Sequence, residues 1–172
     1  MKKRMIGASE YAAALVEALQ HGVLLTTRDG EKLNSMAIGW GTVGRVWEKP
    51  VFIAFVRDRR FTRQMLDRNP EFTVNIPVGS FDRKVLAFCG TRSGRELDKI
   101  HAAGLTPVDP ELISVPGLKE FPMTLECRVL YRQEQEADKL SDTVRDRFYS
   151  IETDDHICFY GEIVSAYVIE DE

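Results

Sequence analysis

A chain of 172 residues with 44% hydrophobic and 29% charged positions can build one sizeable core without disulfide or metal staples, so a single domain over residues 1–172 is expected. Its formal net charge of -4 argues against a nucleic-acid binder, which would need a surplus of lysine and arginine to displace counterions from phosphate backbones. Cys89, Cys127 and Cys158 are odd in number, far apart and without the paired spacing of a zinc site, and read as reduced thiols of a cytoplasmic protein with no metal site.

The opening MKKRMIGASEYAAALVEAL is basic, but Glu10 and Glu17 break any apolar core of a signal peptide. Ser9 is placed to cap a first helix whose face is Tyr11, Leu15, Ala18 and Leu19, with Gly22 ending it. Val23 to Thr27 then reads as a strand, Arg28-Asp-Gly-Glu31 as a tight turn, and Lys32 onward as the partner strand of a hairpin.

Lys32 to Val56 is the most apolar stretch of the chain. From Leu33 to Gly44 it carries no charge, yet Asn34, Ser35 and Thr42 interrupt the apolar residues, and Gly39, Gly41 and Gly44 let the backbone come close to a neighbour. Such a strand reads as the wall of a ligand site or as an irregular core strand. The run is too short for a bilayer, which needs about 20 residues, so no membrane partner is expected. Gly39-Trp-Gly41-Thr-Val-Gly44 also matches the dinucleotide fingerprint G-x-G-x-x-G, but that pattern has meaning only where a helix begins at it. Here Pro50 and a second apolar run, Val51 to Val56, follow at once, and a Rossmann reading is rejected.

Arg57, Arg59, Arg60 and Arg63 come next, with Asp58 the one acid among them, ahead of a helical face formed by Phe61, Met65 and Leu66 that Asn69-Pro70 stops. Positive charge at a helix start opposes the helix dipole and costs roughly 0.3 to 1 kcal/mol per residue. The cluster is therefore read as a phosphate or carboxylate site, against the alternative of a solvated, acid-paired turn. Glu71 to Pro77 alternates like a strand, Phe81 to Phe88 is helical or turn-like, and Ser93 with Glu96 forms a capping box for a helix containing Leu97, Ile100 and Ala103. The loop before that helix, with Thr91 and Ser93, is a second candidate anion cradle. Thr106 to Lys119 reads as an irregular loop, Met123 to Gln133 and Val144 to Ile151 as strands, and His156 to Ile169 as the last strand. Strands joined mostly by hairpin-length turns, with short helices between some of them, predict a mainly β fold: an antiparallel barrel with helical insertions.

The motifs Asn34-Ser-Met-Ala-Ile-Gly-Trp40, Lys49-Pro-Val51, Val56-Arg-x-x-Arg-Phe-Thr62, Glu71-Phe-Thr-Val-Asn75, Cys89-Gly-Thr-x-Ser-Gly-Arg95 with Asp98-Lys99, and Asp155-His156 before Gly161-Glu162-Ile163 span nearly the whole chain. In that order they resemble the flavin reductase-like, FMN-binding split-barrel family, especially its flavoredoxin-like branch. The resemblance implies an antiparallel, Greek-key split β-barrel and a homodimer with FMN near the subunit interface. It implies that Asn34, Ser35, Met36, Ala37 and Ile38 lie along the isoalloxazine ring, mostly through main-chain groups. Arg57, Arg60, Phe61 and Thr62 would hold the phosphate end, aided by Thr91, Ser93 and Lys99, with Cys89 and Gly90 beside the ring.

It further implies an oxidoreductase that passes electrons from NAD(P)H through flavin to free flavin, iron or a partner protein. The alternatives are a flavoredoxin-type electron carrier without direct NAD(P)H oxidation, and a split-barrel binding module that is not an enzyme. His156, after an acidic pair and before an apolar strand, is the candidate catalytic residue near flavin or nicotinamide; His21 and His101 read as structural or solvated. Two positions depart from the family pattern. Asp58-Arg59 stands where relatives often have Pro-Ser, and Asp154 replaces the glycine of Gly-Asp-His found in members that use NADH.

Overall fold

In a computed structural model the chain is described over residues 1–79, 81–149 and 154–170. Strand β1 (Lys2–Met5) leads to helix α1 (Ala8–Leu19), then to β2 (Val23–Asp29), β3 (Lys32–Ile38), β4 (Gly41–Val46) and β5 (Lys49–Arg57). Helix α2 (Phe61–Arg68), β6 (Glu71–Ile76), α3 (Arg83–Thr91) and the short α4 (Lys99–Ala102) follow. A small ribbon, β7 (Pro107–Val108) with β8 (Gly117–Leu118), precedes β9 (Met123–Glu134), α5 (Asp142–Phe148) and β10 (His156–Glu170).

The main sheet runs β3-β2-β6-β9-β10-β5-β4, with β1 added on β10, and every pair in it is antiparallel. Among the described residues no helix is long and apolar enough to cross a membrane. Two hairpins set the site's wall. Gly30, at φ 57, closes β2 onto β3 in the left-handed conformation that glycine adopts at no steric cost. Between β4 and β5 the turn needs two left-handed residues in a row, and these are Trp47 and Glu48, at φ 52 and 61. Side chains held there cost on the order of 1 kcal/mol each, which is offset locally: Arg45 donates to the Glu48 carbonyl, and the Trp47 ring packs on Tyr131 and Tyr160. The sequence Gly39 to Gly44 thus runs into a hairpin strand, as its rejection as a dinucleotide motif requires.

The main core lies between α1 and the sheet. Tyr11 and Leu15, one helical turn apart, are buried against Val23, Leu25, Met36, Ile38 and Phe52, each worth about 1.5–3 kcal/mol relative to exposure. Phe72 enters from β6 and meets the backbone of Gly161, where a methyl group would come within 2.6 Å of the Phe72 ring. A smaller core, Leu24, Leu86, Cys89, Ile100, Leu118 and Phe121, fastens α3 and α4 to the outer side of β2 and β3. That second core places the loop between α3 and α4 beside Asn34.

Three elements differ from the sequence expectation. Helix α1 starts one residue before Ser9, with Gly7 as its cap residue and no side-chain cap. The Ser93–Glu96 capping box does not form: Ser93 Oγ accepts from the Arg95 amide within a turn, and the helix begins later, where Asp98 caps α4 by accepting from the His101 amide. The expected strand Val144 to Ile151 is helix α5 as far as Phe148, where Arg145 pairs with Asp142 across one turn; Ser150 and Ile151 lie outside the described residues. Thr106 to Lys119 is the predicted loop with the β7–β8 ribbon inside it. Asn75, from one of the recognised motifs, is not at the site. It is fully buried, donates to Thr26 and Thr73, and accepts from the Leu118 amide, so it ties β6 to the ribbon.

Candidate functional site

β5 ends at Arg57, the chain turns through Asp58 and Arg59, and α2 starts after Arg60, its cap residue, with no acid in its first turn. The four-arginine cluster does not point into bulk solvent as a group. Arg57 donates to the carbonyls of Asp154 at 2.5 Å and Phe148 at 3.2 Å, and Arg60 Nη1 donates to the Gly90 carbonyl at 3.0 Å. Arg63 turns to Asp58 and Asp67 and leaves the site. Lys99, only 3% exposed, donates to the Cys89 carbonyl at 2.9 Å. Arg57, Arg59, Arg60, Arg92, Arg95 and Lys99 line one cavity of about 310 Å³, in which Asp154 is the one carboxylate among the described residues.

Asn34 stands on the wall of this cavity with its Nδ2 donating to Thr62 at 2.9 Å and its Oδ1 buried without a partner among the described residues. Such an orphaned acceptor costs about 1–3 kcal/mol unless something supplies a donor. Phe61, Thr62, Thr91 and Ser93 complete the lining. A second cleft of about 190 Å³, formed by Met36 to Trp40, Phe55 and His156, shares Met36, Arg57 and Arg60 with the first. The two form one groove, cationic at one end and mostly uncharged along β3.

Of the residues singled out in the sequence, Asn34, Met36, Ala37, Ile38, Arg57, Arg60, Phe61, Thr62, Thr91, Ser93, Lys99 and His156 line the groove. Gly90 touches it through its carbonyl, and its Cα packs near Ala37. Two side chains face elsewhere. Ser35 lies 3.1 Å from the Thr26 hydroxyl and is buried, leaving its main chain to serve the wall. Cys89 is fully buried in the α3 core, and burial raises its thiol pKa, with the Lys99 charge opposing; it sits behind the site as an unreactive thiol. Sequence reasoning gave no site role to Arg92, Gly94 or Arg95, and it noted Asp154 only as a departure from the family pattern. For Gly94 the signal was its spacing in Cys89-Gly-Thr-Arg-Ser-Gly-Arg95: a methyl group there would sit 2.1 Å from Asn34 Oδ1, so only glycine leaves that amide in place.

Burial lowers the Lys99 pKa to about 8, helped by the Arg60 charge and opposed by Cys89. Its charged form is the one an anion needs. Anion affinity is therefore expected to fall, by up to roughly tenfold per pH unit, as pH rises past about 8, and Lys99→Met should abolish that fall in a titration series. His156, 6% exposed, is lowered from 6.5 to about 4 by burial and by Arg57 and Arg60, with Asp154 opposing. The unfolded chain thus binds this proton more readily, and stability is lost as pH falls from about 6.5 toward 4. At pH near 5 the loss comes to about 2 kcal/mol, and His156→Gln should remove that share of the acid sensitivity in urea unfolding.

A family model described as flavin reductase like domain matches residues 18–172. The chain belongs to the flavin reductase-like domain family. Among solved structures, this flavin reductase-like chain is similar to flavoredoxin of Desulfovibrio vulgaris (Miyazaki F), with TM-score 0.67 and 26% identity over 87% of this chain and 69% of that one. Flavoredoxin from Methanosarcina acetivorans matches at TM-score 0.64 and 28% identity, covering 87% and 68%. An FMN-binding domain of a flavin reductase-like enzyme from Shewanella baltica, at TM-score 0.66 and 14% identity over 97% and 77%, shows the shared split-barrel fold alone. An uncharacterized protein of Archaeoglobus fulgidus is 28% identical over 134 residues, 78% of this chain and 64% of that protein. The chain spans less than two thirds of the length of the curated relatives it matches.

The two departures from the flavin reductase-like motifs prove to be partners. Asp154 accepts the Arg59 amide at 2.7 Å and pairs with the Arg59 guanidinium at 3.3 Å. Burial pushes the Asp154 carboxyl up, but the Arg59 amide and guanidinium outweigh it and hold the group below its usual range. Changes 95 positions apart in the chain are thus two halves of one contact at the cavity's edge.

Proposed function

We propose that this chain binds FMN in the groove and works as an NAD(P)H-dependent, flavin reductase-like oxidoreductase whose electrons go to free flavin, iron or a partner protein. The observation that carries the reading is the pairing of a cavity rich in guanidinium groups with an uncharged β3 wall and a buried amide oxygen, Asn34 Oδ1, awaiting a donor. Arg57, Arg60, Thr62 and Lys99, with Thr91 and Ser93, would hold the phosphate; the main chain from Asn34 to Ile38 would carry the ring, with the Gly90 carbonyl and the Cys89 backbone alongside. When bound, the flavin supplies the redox chemistry, accepting a hydride equivalent from a reduced nicotinamide and yielding electrons to the acceptor. The chain's own residues bind, orient and exclude water. Assembly as a homodimer with the groove near the interface is part of the same proposal.

The likeness to flavoredoxins at 26% and 28% identity supports an FMN carrier, and the Asp154 substitution favours a second reading: an electron-transfer flavoprotein that pyridine nucleotides do not reduce directly. One anaerobic experiment separates them. The purified protein is expected to be yellow or to become so with FMN, and to bleach on adding NADH or NADPH. Bound FMN that neither nucleotide reduces would favour the carrier, and a colourless protein that refuses FMN would overturn both.

A further inference from the structure

His156 opens β10 and lines the second cleft, which Arg57 and Arg60 border, with the Trp40 ring 4.9 Å away and Phe55 6.4 Å away, centroid to centroid. Its Nδ1 lies 2.7 Å from the Tyr149 hydroxyl, and the same hydroxyl lies 2.8 Å from Gln135 Oε1. A phenol carries one hydrogen. A side-chain carbonyl oxygen can only accept, so the phenolic hydrogen goes to Gln135 and the hydroxyl's lone pair is left for His156. Nδ1 must then be the ring nitrogen that donates, and in a neutral imidazole Nε2 becomes a bare acceptor. No described residue hydrogen-bonds Nε2, and that atom is not among those sealed from solvent without a partner.

We propose that Gln135 and Tyr149 are positioning residues that lock His156 in the Nδ1–H tautomer, so that Nε2 accepts a hydrogen bond from an N–H group of a planar heterocycle bound in the cleft. The charged groups around the ring favour the neutral form this needs. Burial is the largest influence against protonation, Arg57 and Arg60, on the β5 side, act with it, and Asp154 opposes them. Gln135 follows β9 and Tyr149 follows α5, so the relay gathers three parts of the chain onto one imidazole edge. The cleft, at about 190 Å³, is small beside the roughly 300–1,000 Å³ of ordinary ligand pockets, and it shares Met36, Arg57 and Arg60 with the larger cavity beside it. Two rings of the proposed function carry such a donor: the flavin, through its imide N–H, and nicotinamide, through its carboxamide N–H. Only the identity of the ring rests on that reading; the relay does not.

The test is long-range proton–nitrogen NMR on the full chain with labelled histidine at neutral pH. Flavin-free wild type is expected to show His156 as Nδ1–H; an Nε2–H tautomer would overturn the relay. Gln135→Leu frees the Tyr149 hydroxyl to donate to Nδ1 and should switch the ring to Nε2–H, whereas Gln135→Glu, again an acceptor, should preserve Nδ1–H. A tautomer that ignores the leucine variant would also overturn it. A shift of the Nε2 resonance with riboflavin assigns the imide as donor, a shift with nicotinamide but not riboflavin assigns the carboxamide, and no shift with either overturns the recognition half. A protein that refuses flavin yet shows the Nδ1–H tautomer and its switch would refute the flavin reading and leave the relay standing.

Discussion

Replacing Asn75 with leucine is expected to destabilise the fold by roughly 3 to 5 kcal/mol, since it strands the buried Leu118 amide and removes the donor shared by Thr26 and Thr73. Leucine fills a similar volume, so the loss is one of hydrogen bonding and not of a cavity. The two threonines can re-pair in part, Thr26 with Ser35 and Thr73 with the Pro116 carbonyl, but the Leu118 amide has no such substitute among the described residues. Urea unfolding should show a lower midpoint with an unchanged slope. A shift of less than about 1 kcal/mol would mean that the ribbon is held by its apolar contacts alone.

Arg60→Ala is expected to weaken FMN binding by at least about 1.5 kcal/mol, more than tenfold, and up to about 3 kcal/mol. Two things are lost together: a charge-assisted contact to the phosphate, and the bond from Nη1 to the Gly90 carbonyl that joins the start of α2 to the end of α3. Riboflavin separates them. Lacking the phosphate, it should bind the variant and the wild type alike if the charge matters most, whereas equal FMN affinity in both proteins would make the cluster an ordinary surface.

The groove was legible because its chemistry is concentrated in short stretches. Arginines crowding the start of a helix work against the helix dipole, and an uncharged strand interrupted by Asn34 and glycines reads as a wall or an irregular core strand, of which Asn34 and Met36 to Gly39 do line the groove. The long strand from His156 could be read almost to its end, because the apolar content of one 15-residue strand is continuous. Val144 to Ile151 could not. Val144, Phe148 and Tyr149 among charges fit either period, and the local Asp142–Arg145 pair decides for helix. Ser93 and Glu96 have the spacing of a capping box, yet the Ser93 hydroxyl is satisfied two residues on, by the Arg95 amide. The Arg59–Asp154 pair and the Gln135–Tyr149–His156 relay lay beyond sequence reading for a common reason: each is a contact between distant segments, created by sheet register and by the second core.

The central claim is that the cationic end of the groove recognises a phosphate joined to a flat ring. Its most direct test is a visible-absorption titration of the purified chain with FMN and, separately, with riboflavin. The account predicts a saturable spectral change with FMN and clearly weaker binding of riboflavin. Equal affinity for the two flavins, or no spectral change with either, would contradict it.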